Sequence, residues 1–153
     1  MSIRVFLSGA MDYVGDYASA WRQEATTILE AYGYLIFDPT SVPEDDSMSA
    51  EEIAQKNLFM QKRSDILLVE YLLKDRAYIG TDFEMAWAKI NDQPIVVMCA
   101  DQYKERIYMK YMATKLVDNL QDAVEYIRLQ YPVDKKINLS KKKEYQVEFS
   151  NNC

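Results

Sequence analysis

The chain contains no histidine in 153 residues. That removes the commonest general base and the commonest transition-metal ligand, and with them every Ser-His and Cys-His mechanism. Cysteine is nearly absent as well: two residues, Cys99 inside an apolar run and Cys153 at the last position, form neither a disulfide framework nor a metal-ligand spacing. Glycine and proline number four each, and no glycine-rich phosphate loop or Walker pattern occurs. Long apolar runs are also missing. The stretch Ile95–Ala100 is far too short to span a bilayer, so no membrane association is expected. Basic residues are outnumbered, 18 Lys and Arg against 24 Asp and Glu, for a net charge of −6. Tracking a nucleic-acid polymer requires neutralising phosphates, so a small-molecule partner is the better expectation.

What is present is the composition of a globular domain, 49% hydrophobic and 27% charged. The length suits one domain with a full core. The start, Met1–Leu7, enters a β-rich run at once without a signal-type apolar core, and a cytoplasmic protein is expected.

Hydrophobic periodicity orders the chain. Ile3–Leu7 reads as a strand closed by Ser8-Gly9, and apolar positions from Ala18 to Tyr32 recur at helical spacing with Gly33 as the stop. Tyr34–Phe37 is a second strand ended by Asp38-Pro39, and residues 40–48 are a loop. Ser49-Ala50-Glu51-Glu52 is a capping box opening a helix to about Arg63. Asp65–Val69 is a buried strand, Tyr71–Ile79 a loop, Thr81–Asn91 a helix and Pro94–Cys99 a fourth strand. Asp101–Met112 is ambiguous, Lys115–Val117 is a candidate fifth strand, and Asn119–Gln130 is a closing helix. The alternation predicts a single doubly wound α/β domain of the Rossmann or flavodoxin type, with a mostly parallel five-stranded sheet and helices on both faces. Residues 1–132 form that domain. Residues 133–153 lose the pattern and form a lysine-rich tail, in which the alternation of Glu144–Phe149 suits an added strand or an arm to a neighbouring subunit.

The segment Tyr78–Ile90 holds the best candidate for chemistry. Glu84 follows a strand and loop at the start of a helix, where ligands of open α/β sheets collect. Locally, Thr81-Asp82-Phe83-Glu84 also fits a capping box, and on these four residues alone capping is the commoner meaning. Three aspartates near turns, Asp12, Asp38 and Asp82, are candidate acids; Asp38 ranks first because it follows the second strand at the edge where a site belongs. Asp65 begins its strand and is read as structural. Trp21 and Trp87 are read as core, and Arg22 has no assigned role.

Taken together, Phe6-Leu7-Ser8-Gly9-Ala10-Met11, Trp21-Arg22, Phe37-Asp38-Pro39, Ser64–Val69 and Gly80-Thr81-Asp82-Phe83-Glu84 with Ala86 and Ala88 resemble the nucleoside 2-deoxyribosyltransferase-like superfamily, which includes nucleotide N-glycosidases. The resemblance covers about residues 3–131. It implies that Glu84 attacks the anomeric carbon of a 2′-deoxynucleoside or its 5′-monophosphate to give a covalent glycosyl-enzyme, resolved by water or a second base. A helix N-terminus would help to hold the carboxylate ionised. The expected substrate contacts are Phe6, Ser8, Gly9, Ala10, Met11, Asp38, Asn57, Tyr78, Gly80 and Asp82. Phosphate preference is open, and Ser8 and Arg76 are groups able to supply such contacts. No metal and no organic cofactor is implied.

The chain departs from the family pattern at three of these positions. Asn57 stands where an aspartate usually contacts the leaving base, Phe6 where several members have a tyrosine, and Tyr78 where a small residue is common. The alternative is a non-catalytic nucleotide-binding or regulatory protein that keeps the crevice. The resemblance also implies a homodimer or higher homo-oligomer, for which the aromatic and Met-rich segment Ile107–Met112 is a suitable interface.

Overall fold

The computed structural model describes residues 2–42 and 47–133. Five strands, β1 (Arg4–Ser8), β2 (Leu35–Phe37), β3 (Ile66–Tyr71), β4 (Ile95–Cys99) and β5 (Lys115–Val117), form one sheet in the order β2-β1-β3-β4-β5. Every neighbouring pair is parallel, in registers such as Phe6 beside Phe37 and Leu67. The helices are α1 (Tyr17–Ala31), α2 (Ala50–Gln61), α3 (Ile79–Ile90), α4 (Asp101–Lys104), α5 (Ile107–Met112) and α6 (Leu120–Gln130), with a 3₁₀ turn at Pro39–Ser41. The expected doubly wound α/β fold is therefore present, and the ambiguous segment 101–112 is resolved as two short helices. Among the described residues, no helix is long and apolar enough to cross a membrane. The expected lysine-rich tail, residues 133–153 with Cys153, lies outside the described residues apart from Val133.

Strand alternation separates two cores. Val5, Leu7, Ile66, Leu68, Val96 and Met98 face Ala25 and Leu29 of α1 and Val124 and Ile127 of α6. Phe6, Leu67, Val69, Ile95, Val97 and Cys99 face Met85 and Ala88 of α3 and Met109 of α5. Burial pushes the Cys99 thiol up to about 11, which marks it as packing rather than a nucleophile. Trp21 is in the core as expected, whereas Trp87 is only half-buried. Asp65 accepts from the Arg4 amide at 2.8 Å, a structural contact at the strands' N-terminal edge.

Local capping held at one helix and not at the other. Ser49 and Glu52 exchange the two hydrogen bonds of a capping box, at 3.2 and 2.7 Å. By contrast, α3 begins two residues earlier than expected, at Ile79 after Tyr78, so Thr81 lies inside the helix and is buried. Its capping-box reading is overturned, and Glu84 sits in the second turn rather than the first.

Strand order reverses between β1 and β3. Their C-terminal ends, Ser8 and Val69–Tyr71, therefore open a crevice between the loops that leave in opposite directions.

Candidate active site

Phe6 and Ser8 point to the same side of β1, two residues apart. Phe6 is fully buried in the core, which corrects its expected place on the substrate wall: deep in the strand it packs against the sheet's neighbours and does not line the cavity. Ser8, at the strand's open end, donates its hydroxyl proton to Oε2 of Glu84 on α3. The carboxyl thus faces the end of the sheet and lines a cavity of about 640 Å³. That volume is in the range of small-molecule sites, about 300–1,000 Å³.

Burial pushes the Glu84 carboxyl above its ordinary value, while the Ser8 hydrogen bond and the charge of Arg22 pull it back down. Since macrodipole effects fade within the first turn, these two residues, and not the helix terminus, are what favour its anion.

Arg22, to which the sequence assigns no role, belongs to the same cavity. It projects from α1, is fully buried and lines the cavity. Its guanidinium donates to the carbonyls of Leu7 at 3.3 Å, Gly9 at 2.9 Å and Ala10 at 3.5 Å, and to Ala18. It therefore pins the turn after β1. Gly9 suits the crowding there: a Cβ would lie 3.0 Å from Oε2 and Cβ of Glu70 and 3.0 Å from the Trp21 ring.

Glu70 anchors the loop that leads to α3. Although fully buried, its Oε1 accepts from Tyr17 Oη at 3.0 Å, Tyr78 Oη at 2.9 Å and the Leu72 amide at 2.7 Å. Tyr78 also accepts from the Leu73 amide at 3.0 Å and stacks on Tyr71 with ring centres 3.9 Å apart. Tyr71 in turn donates to Asp82 at 2.9 Å.

The structure brings Gly9, Ala10, Met11, Asn57, Tyr78, Gly80 and Glu84 of the expected site to one cavity, with Ser8 behind Glu84. Asp38 and Asp82 are not on its wall. Asp38 accepts from the amide and hydroxyl of Thr40, at 2.8 and 2.6 Å, as the cap of the 3₁₀ turn, and lies 3.9 Å from Arg22. Asp82 is held by Tyr71. Of the three candidate acids, Asp12 is the one that lines the cavity.

Several wall residues escaped the sequence reading: Gln61, Ile53, Ala54 and Leu58 on α2, Phe83 on α3, and Tyr13 beside Arg76, whose guanidinium donates to the Tyr13 carbonyl at 3.1 Å. Helical spacing from Asn57 to Gln61 was the available signal, since residues four apart share a face. Among the described residues, no group of three or more His, Cys, Asp or Glu could hold a metal ion.

The site thus consists of a part-buried carboxyl at the switch point of a five-stranded parallel sheet. Residues 2–103 match the family model described as nucleoside 2-deoxyribosyltransferase like, and the chain belongs to that family. No curated protein matches it. Among solved structures, a 2-deoxyribosyltransferase from Leishmania mexicana is similar with a TM-score of 0.70 and 16% identity, covering 84% of this chain and 99% of its own. The 2-deoxyribosyltransferase of Bacillus psychrosaccharolyticus gives 0.66 and 17%, over 86% and 97%. A CMP N-glycosidase of Clostridium botulinum gives 0.57 and 14%, over 82% and 98%. At these identities the likeness is one of fold.

Proposed function

We propose that the protein cleaves or exchanges the N-glycosidic bond of a 2′-deoxynucleoside or its 5′-monophosphate, with Glu84 as the nucleophile. The observation that carries this reading is the Glu84 carboxyl, hydrogen-bonded to Ser8, on the wall of a cavity large enough for a nucleoside. In the first step a carboxylate oxygen attacks C1′ of the sugar. The C1′–N bond breaks, and its electron pair leaves with the base nitrogen, which takes a proton from solvent or from Asp12. In the second step water or another base attacks C1′, loses its proton to solvent and releases the sugar from Glu84. A covalent intermediate replaces one difficult displacement with two easier ones.

Partial desolvation suits this role. The carboxylate is a better nucleophile when stripped of water, and Ser8 with Arg22 keeps its anion accessible. Family membership supports a transferase or glycosidase, and the neighbours with printed activities act on such bonds. A homo-oligomer fits the exposed apolar residues of α3 and α5, Ile90 at 81%, Ile107 at 81% and Tyr108 at 76% exposure.

The test is incubation with a panel of deoxynucleosides and their monophosphates, with and without a second free base. Base release or exchange is expected, and Glu84→Ala is expected to abolish it with the fold intact by circular dichroism. Thermal stabilisation by nucleotides with no product would instead support a binding protein.

A further inference from the structure

We infer that the base accepted beside Glu84 carries an exocyclic amino group, as cytosine and adenine do, and that uracil, thymine and hypoxanthine are disfavoured. This rests on the reading of the cavity as a nucleoside site, and it comes from two amide oxygens on α2.

Gln61 is fully buried and lines the cavity. Its amide orientation is fixed from both sides. Nε2 donates to the backbone carbonyl of Glu84 at 2.8 Å and lies 3.4 Å from Oε1 of Gln93. Gln93 is itself oriented by donating to the carbonyl and hydroxyl of Ser64, at 3.1 and 2.7 Å. The nitrogen of Gln61 is therefore the atom turned to acceptors, and its Oε1 is an acceptor with no hydrogen-bond partner among the described residues. One helical turn earlier on the same cavity-facing side, Oδ1 of Asn57 is also buried and also without a partner among the described residues.

Two neighbouring buried acceptors without donors are costly and incomplete. The α2 residues around them, Ala50, Ile53, Ala54 and Leu58, present hydrocarbon, suited to the faces of a flat heterocycle. What completes this wall is a planar, apolar-faced ligand with two N–H bonds on one atom at its edge. An exocyclic amino group has that form and can give one hydrogen to each oxygen. A base with only ring carbonyls and one ring N–H would set at least one carbonyl oxygen against these acceptors, leaving both sides unpaired. Gln61 hooks the backbone of Glu84 itself, so the acceptor pair belongs to the part of the cavity beside the reacting carboxylate.

Matched pairs test this directly: deoxycytidine against deoxyuridine and deoxyadenosine against deoxyinosine, each also as the 5′-monophosphate, with base release followed by chromatography and binding by thermal shift. The amino member of each pair is expected to have the higher kcat/KM by at least about tenfold, or the larger thermal shift if no base is released. Asn57→Leu is expected to shrink that ratio, mainly through the KM of the amino substrate. Equal values within the pairs, or preference for the oxo members, overturn the inference while leaving the nucleoside site standing. No release and no stabilisation by any of the eight compounds overturns the site reading and this inference with it.

Discussion

Ser8 and Glu84 are 76 residues apart in sequence and joined by a hydrogen bond in the fold, hydroxyl to carboxylate, at the point where the sheet changes winding direction. The contact gives the carboxylate its direction and part of its acidity. Replacing Ser8 by alanine removes a bond that favours the anion, so the Glu84 carboxyl rises further. The acidic limb of kcat/KM is then expected to move to higher pH. A hydrogen bond to a charged group is worth about 1.5–3 kcal/mol, which predicts a rate loss of roughly ten- to a hundredfold. A pH–rate profile of Ser8→Ala checks both.

Glu84 itself sets a pH dependence of stability. Its folded carboxyl lies above its unfolded value because burial disfavours the charge. The stability associated with the protonated form is therefore full below the ordinary carboxylate range and is lost as pH rises through the folded value. Glu84→Gln carries no charge to desolvate. It is expected to melt at a higher temperature than the wild type near neutral pH, with the two curves converging below about pH 4. Scanning calorimetry across that range would show it.

The turn after β1 is crowded at residue 9. With Glu70 and Trp21 each 3.0 Å from an added Cβ, Gly9→Ala is expected to cost about 1–3 kcal/mol, the usual range for overpacking. It should also disturb the carbonyl held by Arg22. Urea denaturation gives the stability term, and a fall in activity beyond the unfolded fraction gives the second.

Tyr78→Phe removes a hydroxyl that both donates to Glu70 and accepts from Leu73. The Leu73 amide then loses that acceptor, and a loss of about 1–3 kcal/mol is expected. The same loop carries the start of α3, so a rise in KM larger than the fall in kcat should accompany it.

The exposed apolar residues of α5 make an assembly prediction. Ile107→Glu with Tyr108→Glu is expected to reduce a homo-oligomer to a smaller species in sedimentation velocity, because charges would be buried at the contact. An unchanged sedimentation coefficient would place the interface elsewhere.

The fold was largely legible because it is written in short, repeated signals. Continuous apolar runs such as Ile66–Val69 and Ile95–Cys99 read as strands buried on both faces, and the spacing of Trp21, Ala25 and Leu29 read as a helix face. Capping was less reliable. Ser49 and Glu52 behave as their spacing suggests, whereas Thr81 and Glu84 have the same spacing and do not, because tertiary contacts from Tyr78 and Ser8 set where α3 begins and where its glutamate points. The motif marks Glu84 as a candidate, and the structure places it on the cavity wall. Its surroundings are not marked in the same way: Arg22 reaches the cavity from the middle of α1, Gln61 from the end of α2, and Asp38 is drawn into a local turn by Thr40. The reach of Arg22 and Gln61 does not follow from neighbouring residues, since it depends on which loops the sheet order brings together, whereas the turn that holds Asp38 is local.

The proposed mechanism requires a carboxylate oxygen of Glu84 to bond to C1′ of the sugar. Mass spectrometry of the acid-quenched protein during turnover of a 2′-fluoro-2′-deoxynucleoside, whose electron-withdrawing fluorine slows resolution of the intermediate, tests it most directly. One sugar adduct is expected on the peptide containing Glu84, absent in Glu84→Ala. An adduct on another residue, or undiminished base release by Glu84→Ala, would contradict it.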